Sequence, residues 1–174
     1  SATDPVMTEI PGLDTTLYPF DSNYHELGSG HCMHFVDEGP VQAQPVVMVH
    51  GNPTWSFYYR NVIRGLADRH RCLAPDHIGM GLSDRPSDSE YDYTLASRVN
   101  DLGEWLDTLE PDRPIDLVVH DWGGAIGLSW AAANPDRVRR IFILNTWAFT
   151  IPDDADLPRS LAFARTSLGA FLIK

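Results

Sequence analysis

The stretch Val118-Val119-His120-Asp121-Trp122-Gly123-Gly124 decides how the rest of this chain is read. An apolar run ends in an acidic residue, and glycines and a helical pattern follow at once. That order spells a strand, a sharp turn and a helix, with Asp121 at the tip. The turn needs small neighbours. Gly123 supplies one two residues on, while Val119 on the other flank is bulkier. A carboxylate at a helix start meets free backbone amides and the positive end of the helix dipole, which favour a negative charge. An aspartate there is often only a helix cap. Here His120, Trp122, Gly123 and Gly124 beside it, and the motif His50-Gly51-Asn52-Pro53 upstream, favour a chemical role.

Working outward, residues 46–50 form an apolar run between Pro45 and Gly51, the pattern of a fully buried parallel strand. Residues 24–27 and 31–36 flank Gly28-Ser29-Gly30 as an antiparallel hairpin. Phe57, Tyr58, Val62, Ile63 and Leu66 recur at helical spacing over residues 55–67. A short strand at 72–75 runs into the glycine-punctuated loop 76–86. Thr94 caps a predicted helix whose stripe is Leu95, Val99, Leu102, Leu106 and Leu109. A strand at 115–119, a helix at 124–133 and a strand at 138–144 complete the alternation. Strands alternating with helices imply an α/β fold: a doubly wound, mostly parallel sheet, here with an N-terminal antiparallel hairpin. Residues 1–20 read as an irregular arm, 21–147 as the core, and 148–174 as the start of a helical lid.

In doubly wound sheets ligands bind beyond the carboxyl ends of the strands, which here open at His50, Asp76 and Asp121. Asn52 and Trp122 each offer a neutral N–H donor and neither can act as a base. Converging over Asp121 they would hold a departing halide or oxyanion, with their backbone amides as an oxyanion hole. Read singly, they are a turn asparagine before Pro53 and a core tryptophan. Among the seven histidines, His50 and His120 are expected to orient or support, and His25, His31, His34 and His70 to occupy surface or strand positions. His77 could line the cleft. No histidine or cysteine spacing suggests a metal site, and no cofactor is implied. Asp84 with Arg85 reads as an ion pair or loop brace, and Asp153, Asp154 and Asp156 as solvated loop acids.

The 174 residues suffice for one domain with a sizeable core. A net charge of −11 argues against nucleic-acid or anionic-membrane partners, which need a basic footprint. Lys174 is the only lysine, a bias read as genome composition ahead of a salt-adapted host. No signal peptide or apolar run of transmembrane length is visible, and Cys32 and Cys72 read as buried reduced thiols, so the expected compartment is the cytoplasm.

At His50-Gly51-Asn52-Pro53-Thr54-Trp55 and at His120-Asp121-Trp122-Gly123-Gly124 the chain resembles the haloalkane dehalogenase superfamily of α/β-hydrolases. The block from Asp76 to Pro86 adds to the resemblance, which spans most of residues 18–174. It implies Asp121 as a nucleophile that forms an alkyl ester, with Asn52 and Trp122 stabilising the leaving halide. Trp55-Ser56-Phe57-Tyr58-Tyr59-Arg60 and Tyr91-Asp92-Tyr93-Thr94-Leu95 are in addition similar to the β-lactone decarboxylases of bacterial olefin synthesis. The expected partner is therefore a small hydrophobic substrate, a haloalkane or a β-lactone; epoxide hydrolases share the acid elbow but usually carry an aromatic residue where Asn52 stands. The triad order of this fold places a histidine after the nucleophile, and none follows Asp121. Asn145 stands where some relatives keep their triad acid. Histidine and acid are thus expected beyond Lys174, in a C-terminal remainder of the same fold, and the 174 residues alone are expected not to turn over. A truncated binding module, or a subunit completed by a second chain or by a homo-oligomer, is the non-enzymatic alternative.

Overall fold

The computed structural model describes residues 12–110 and 113–147. Among the described residues six strands form one sheet: β1 (Asn23–Glu26), β2 (Cys32–Glu38), β3 (Pro45–Val49), β4 (Arg71–Pro75), β5 (Ile115–His120) and β6 (Val138–Leu144). Their spatial order is β1-β2-β4-β3-β5-β6. The β1–β2 and β2–β4 pairs are antiparallel, and the β4–β3, β3–β5 and β5–β6 pairs are parallel. The expected α/β architecture with its N-terminal hairpin is therefore present. Each strand boundary lies within two residues of its expected place, and β3 and β4 are buried at every position.

Among the described residues three α-helices cover the sheet: α1 (Arg60–Leu66), α2 (Leu95–Leu109) and α3 (Trp122–Ala133). On one face Ile63 of α1 packs with Val36, Met48, Cys72 and Val118. On the other, Leu102, Trp105 and Leu106 of α2 and Ile126 and Trp130 of α3 pack on Val47, Leu73, Leu117 and Val119. Thr94 caps α2 as expected, its side chain accepting the Ser97 N–H. Leu95 departs from the predicted core stripe: it is exposed, while Val99 and Leu109 pack at the core margin.

The helix expected over 55–67 divides into a 3₁₀ turn, Ser56–Tyr59, and then α1. The physical reason is tertiary. The Ser56 N–H is taken by Asp76 Oδ1 at 2.7 Å and the Tyr59 hydroxyl donates to the Val49 carbonyl at 2.9 Å, so this turn is anchored to the sheet rather than to a longer helix. α3 begins at Trp122, two residues before the expected start, because the Gly124 N–H closes the first turn on the Asp121 carbonyl at 2.9 Å.

Away from the strands' carboxyl ends, Arg71 joins β2 to the end of α2 through Asp37 (2.6 Å) and Glu110. Among the described residues β6 borders the sheet, with Ile141 to Leu144 exposed. No described helix is long and apolar enough to cross a membrane. Cys72 is buried and Cys32 only half-buried, and both are free. The segment 148–174, expected to begin a lid, lies outside the described residues.

Candidate active site

The chain leaves β3 toward β4 on one side, and β5 toward β6 on the other. The crevice therefore opens between the loops that follow β3 and β5, where a doubly wound sheet places its ligand. Those loops carry His50-Gly51-Asn52-Pro53 and Asp121-Trp122, so strand order joins the two motifs.

Asp121 sits at the turn with φ 52° and ψ −129°, a left-handed conformation that is strained for a residue with a Cβ. It makes no side-chain cap to α3, so the simple helix-cap reading does not hold. Its Oδ1 instead accepts the backbone N–H of Asn52 at 2.9 Å, across the crevice. Among the described residues no hydrogen bond reaches the other carboxylate oxygen.

Several groups hold this turn in place. The Asp121 carbonyl accepts from Gly124 N–H and from the Thr146 hydroxyl at 2.5 Å, and the Asp121 N–H donates to Asn145 O at 3.3 Å. Close approach explains the small neighbours. A Cβ on Gly51 would stand 2.4 Å from Asp121 Cβ, and one on Gly123 would stand 2.1 Å from the Val49 carbonyl oxygen. Asn145 itself adopts φ 40°.

Asn52 and Trp122 both line a cavity of about 700 Å³, together with Gly79, Met80, Tyr93, Leu95, Arg98 and Ile126. The Trp122 ring is exposed and meets the ring of Trp147 edge-on at 5.2 Å. Asp121 borders this cavity through Asn52 and Trp122 rather than lining it.

The two supporting histidines serve different ends. The His120 ring stacks on Tyr58 at 4.3 Å, its Nδ1 buried without a partner among the described residues. His50 is fully buried and engages His77. The His77 N–H donates to His50 Nε2 at 3.0 Å, so that nitrogen carries no proton, and His50 Nδ1–H donates to Gly51 O at 2.9 Å. His77 Nε2–H donates back to His50 O at 3.0 Å. His77 thus supports the Gly51 turn and does not line the cavity, contrary to expectation. Burial pushes both rings below the ordinary histidine value, with the charge of Arg98 adding to the effect.

Because the folded pair resists protons that the unfolded chain accepts, its contribution to stability is present above the ordinary histidine value of 6.5 and is lost as pH falls below it. Melting temperature is therefore expected to fall between pH 7.5 and 5.5. Asp101 and Glu38, whose carboxyls burial pushes up, act in the opposite sense. The histidine contribution is isolated by His77→Gln, which should flatten the slope; an equal slope in the variant would refute it.

The third loop holds a residue whose role the sequence did not reveal. Asp76 is fully buried at the end of β4. Its Oδ1 accepts Ser56 N–H at 2.7 Å, and its Oδ2 accepts Leu82 N–H at 2.9 Å and His34 Nδ1 at 2.9 Å. Burial alone would raise the Asp76 carboxyl, but the hydrogen bond and charge of His34, helped by His50 and the Leu82 N–H, hold it below the usual range. His34 is accordingly a buried strand residue and not a surface one. The expected Asp84–Arg85 ion pair is absent among the described residues. Asp84 accepts the Cys32 N–H at 2.7 Å and Arg85 donates to Gly81 O at 2.7 Å, so both brace the loop separately. Asp76, His34, Thr146 and Trp147 were missed; an acid closing the apolar run Cys72-Leu73-Ala74-Pro75 before a glycine-rich loop was the available signal for Asp76.

A mostly parallel sheet that presents an acid on a strained strand–helix turn, with the Asn52 amide donating to it across a crevice, defines a hydrolase-type architecture. The chain belongs to the alpha/beta hydrolase fold family, which matches residues 44–167. It is 52% identical over 160 residues to a cis-3-alkyl-4-alkyloxetan-2-one decarboxylase of Shewanella oneidensis, covering 91% of this chain and 49% of that protein. It is 43% identical over 152 residues to haloalkane dehalogenase 2 of Mycobacterium tuberculosis, covering 87% of this chain and 50% of that one. The solved structure of a haloalkane dehalogenase from Paraglaciecola agarilytica superposes with a TM-score of 0.75 at 30% identity, over 86% of this chain and 52% of its own. The chain thus spans about half the length of the curated relatives it matches. The resemblance drawn from the two motifs is borne out, and relatives of both substrate types carry it.

Proposed function

We propose that Asp121 is a nucleophile that attacks a saturated carbon, and that the substrate is a β-lactone bearing two alkyl chains. The observation that carries the nucleophile reading is the Asp121 carboxylate, with one oxygen held by the Asn52 N–H and the other without a hydrogen-bond partner among the described residues. The preference for a β-lactone rests on the higher identity to the decarboxylase, 52% against 43%.

In this reading Asp121 attacks the ring carbon bonded to oxygen. That carbon–oxygen bond breaks with its electron pair, leaving an alkyl ester on Asp121 and a free carboxylate on the neighbouring carbon. The bond to the carboxylate carbon then breaks and carbon dioxide departs. Its electron pair forms the carbon–carbon double bond, while the ester oxygen takes back its own pair and Asp121 is restored. The Asn52 and Trp122 side chains, both on the cavity, supply N–H donors for the developing negative charge.

The same donors suit a halide, and they support dehalogenation of a haloalkane as a second reading. There Asp121 displaces the halide, and water must hydrolyse the ester. The full-length natural polypeptide, given a cis-dialkyl β-lactone and, separately, a bromoalkane, separates the two. Alkene and carbon dioxide are the expected products of the first. Bromide release without alkene would replace the first reading by the second.

A further inference from the structure

We infer that Arg98 is a substrate-recognition residue that holds the carboxylate freed when the β-lactone ring opens; this rests on the β-lactone reading above. Arg98 lies in the first turns of α2 and lines the cavity that Asn52 and Trp122 also line. Its guanidinium is half-buried; among the described residues it donates one hydrogen bond, from Nη1 to the Ile78 carbonyl at 3.1 Å, with the face of Tyr93 at 5.7 Å. Among the described residues no carboxylate forms an ion pair with it. A guanidinium presents five donors in a planar fork that fits a carboxylate, so most of its capacity is uncommitted.

The acids nearby do not fill that capacity. Asp101 attracts Arg98 at longer range but its carboxylate accepts the Tyr91 hydroxyl at 2.7 Å. Asp92 lines the cavity at an exposed position, and its Oδ1 accepts from Thr94 and Ser97 at the start of α2. Asp88 also lines the cavity, at an exposed position and with an interaction of its own. The positive charge of Arg98 also reaches His50 and His77 beneath the Asn52 loop.

A departing halide is a single sphere that the Asn52 and Trp122 donors can hold, whereas ring opening of a β-lactone creates a carboxylate, whose two oxygens match the guanidinium fork, beside the carbon that Asp121 attacks. Met80, Leu95 and Ile126 of the same cavity supply apolar surface for alkyl chains. Arg98 thereby favours the one substrate class that becomes an acid during reaction.

Binding of decanoate and of decanol to the full-length polypeptide, measured by calorimetry, tests this without turnover. The wild type should bind decanoate more tightly. Arg98→Gln, which can still donate to the Ile78 carbonyl, should weaken decanoate about tenfold or more, as loss of a charge-assisted pair does. Decanol binding should change little, and Arg98→Lys should retain part of the preference. Equal wild-type affinities for acid and alcohol, or equal losses of both in Arg98→Gln, would overturn the inference. Alkene formation is scored separately: a wild type that prefers decanoate yet makes no alkene fails the functional reading alone, and one that makes alkene without the preference fails this inference alone.

Discussion

Asp121→Asn is expected to lower turnover of a β-lactone or a bromoalkane by about 10⁴-fold or more in the full-length polypeptide, with little loss of stability. The substitution keeps the shape of the side chain, and its carbonyl oxygen can still accept the Asn52 N–H that Oδ1 accepts at 2.9 Å. The brace on the Asp121 backbone, from Gly124 and Thr146, is untouched. What disappears is the negative charge on the oxygen proposed to attack. Alkene or bromide release checks the prediction, with a thermal melt to confirm folding. Turnover within tenfold of wild type would remove Asp121 from the chemistry and leave it a structural turn residue.

The second large effect is on stability. Asp76→Ala should destabilise the fold by about 3–5 kcal/mol, because three buried donors lose their acceptor and each such loss costs about 1–3 kcal/mol. The variant would strand His34, itself fully buried, and the N–H groups of Ser56 and Leu82. A fall in melting temperature of roughly 10 °C or more is the expected reading. Turnover should also suffer, because the Ser56 N–H ties the loop that carries Asn52 to β4. A shift under about 1 kcal/mol would show that water enters and replaces the carboxylate, and would end the view of Asp76 as the tie between β2 and the loops after β3 and β4.

The two predictions fall on residues of unequal legibility. Asp121 could be read because its signal is local: apolar strand, acid, glycines and helix occur within a few residues. Asn52 and Trp122 were legible for the same reason, each within a short motif. Asp76 was not, because its partners lie 20 and 42 residues away along the chain, and no local pattern marks such a pairing. His77 misled for the matching reason. A loop histidine near a strand end looks available to solvent, and only the packing of His50 against it, ring centroids 4.2 Å apart, reveals it as buried. Arg98 sits on α2 as an ordinary polar position, and only the fold turns it toward a cavity shared with Asn52 and Trp122.

By itself the sequence determined the alternation of strands and helices, the N-terminal hairpin and the elbow at Asp121, since each follows from periodicity and turn chemistry over short spans. The tertiary structure decided which distant groups meet. It placed β3 beside β5, so that the amide of Asn52 reaches the carboxylate of Asp121. It also buried Asp76 with His34 and committed His77 to His50. Hydrogen bonds and charge compensation act through space, and strand order, not position along the chain, sets which of these groups become neighbours.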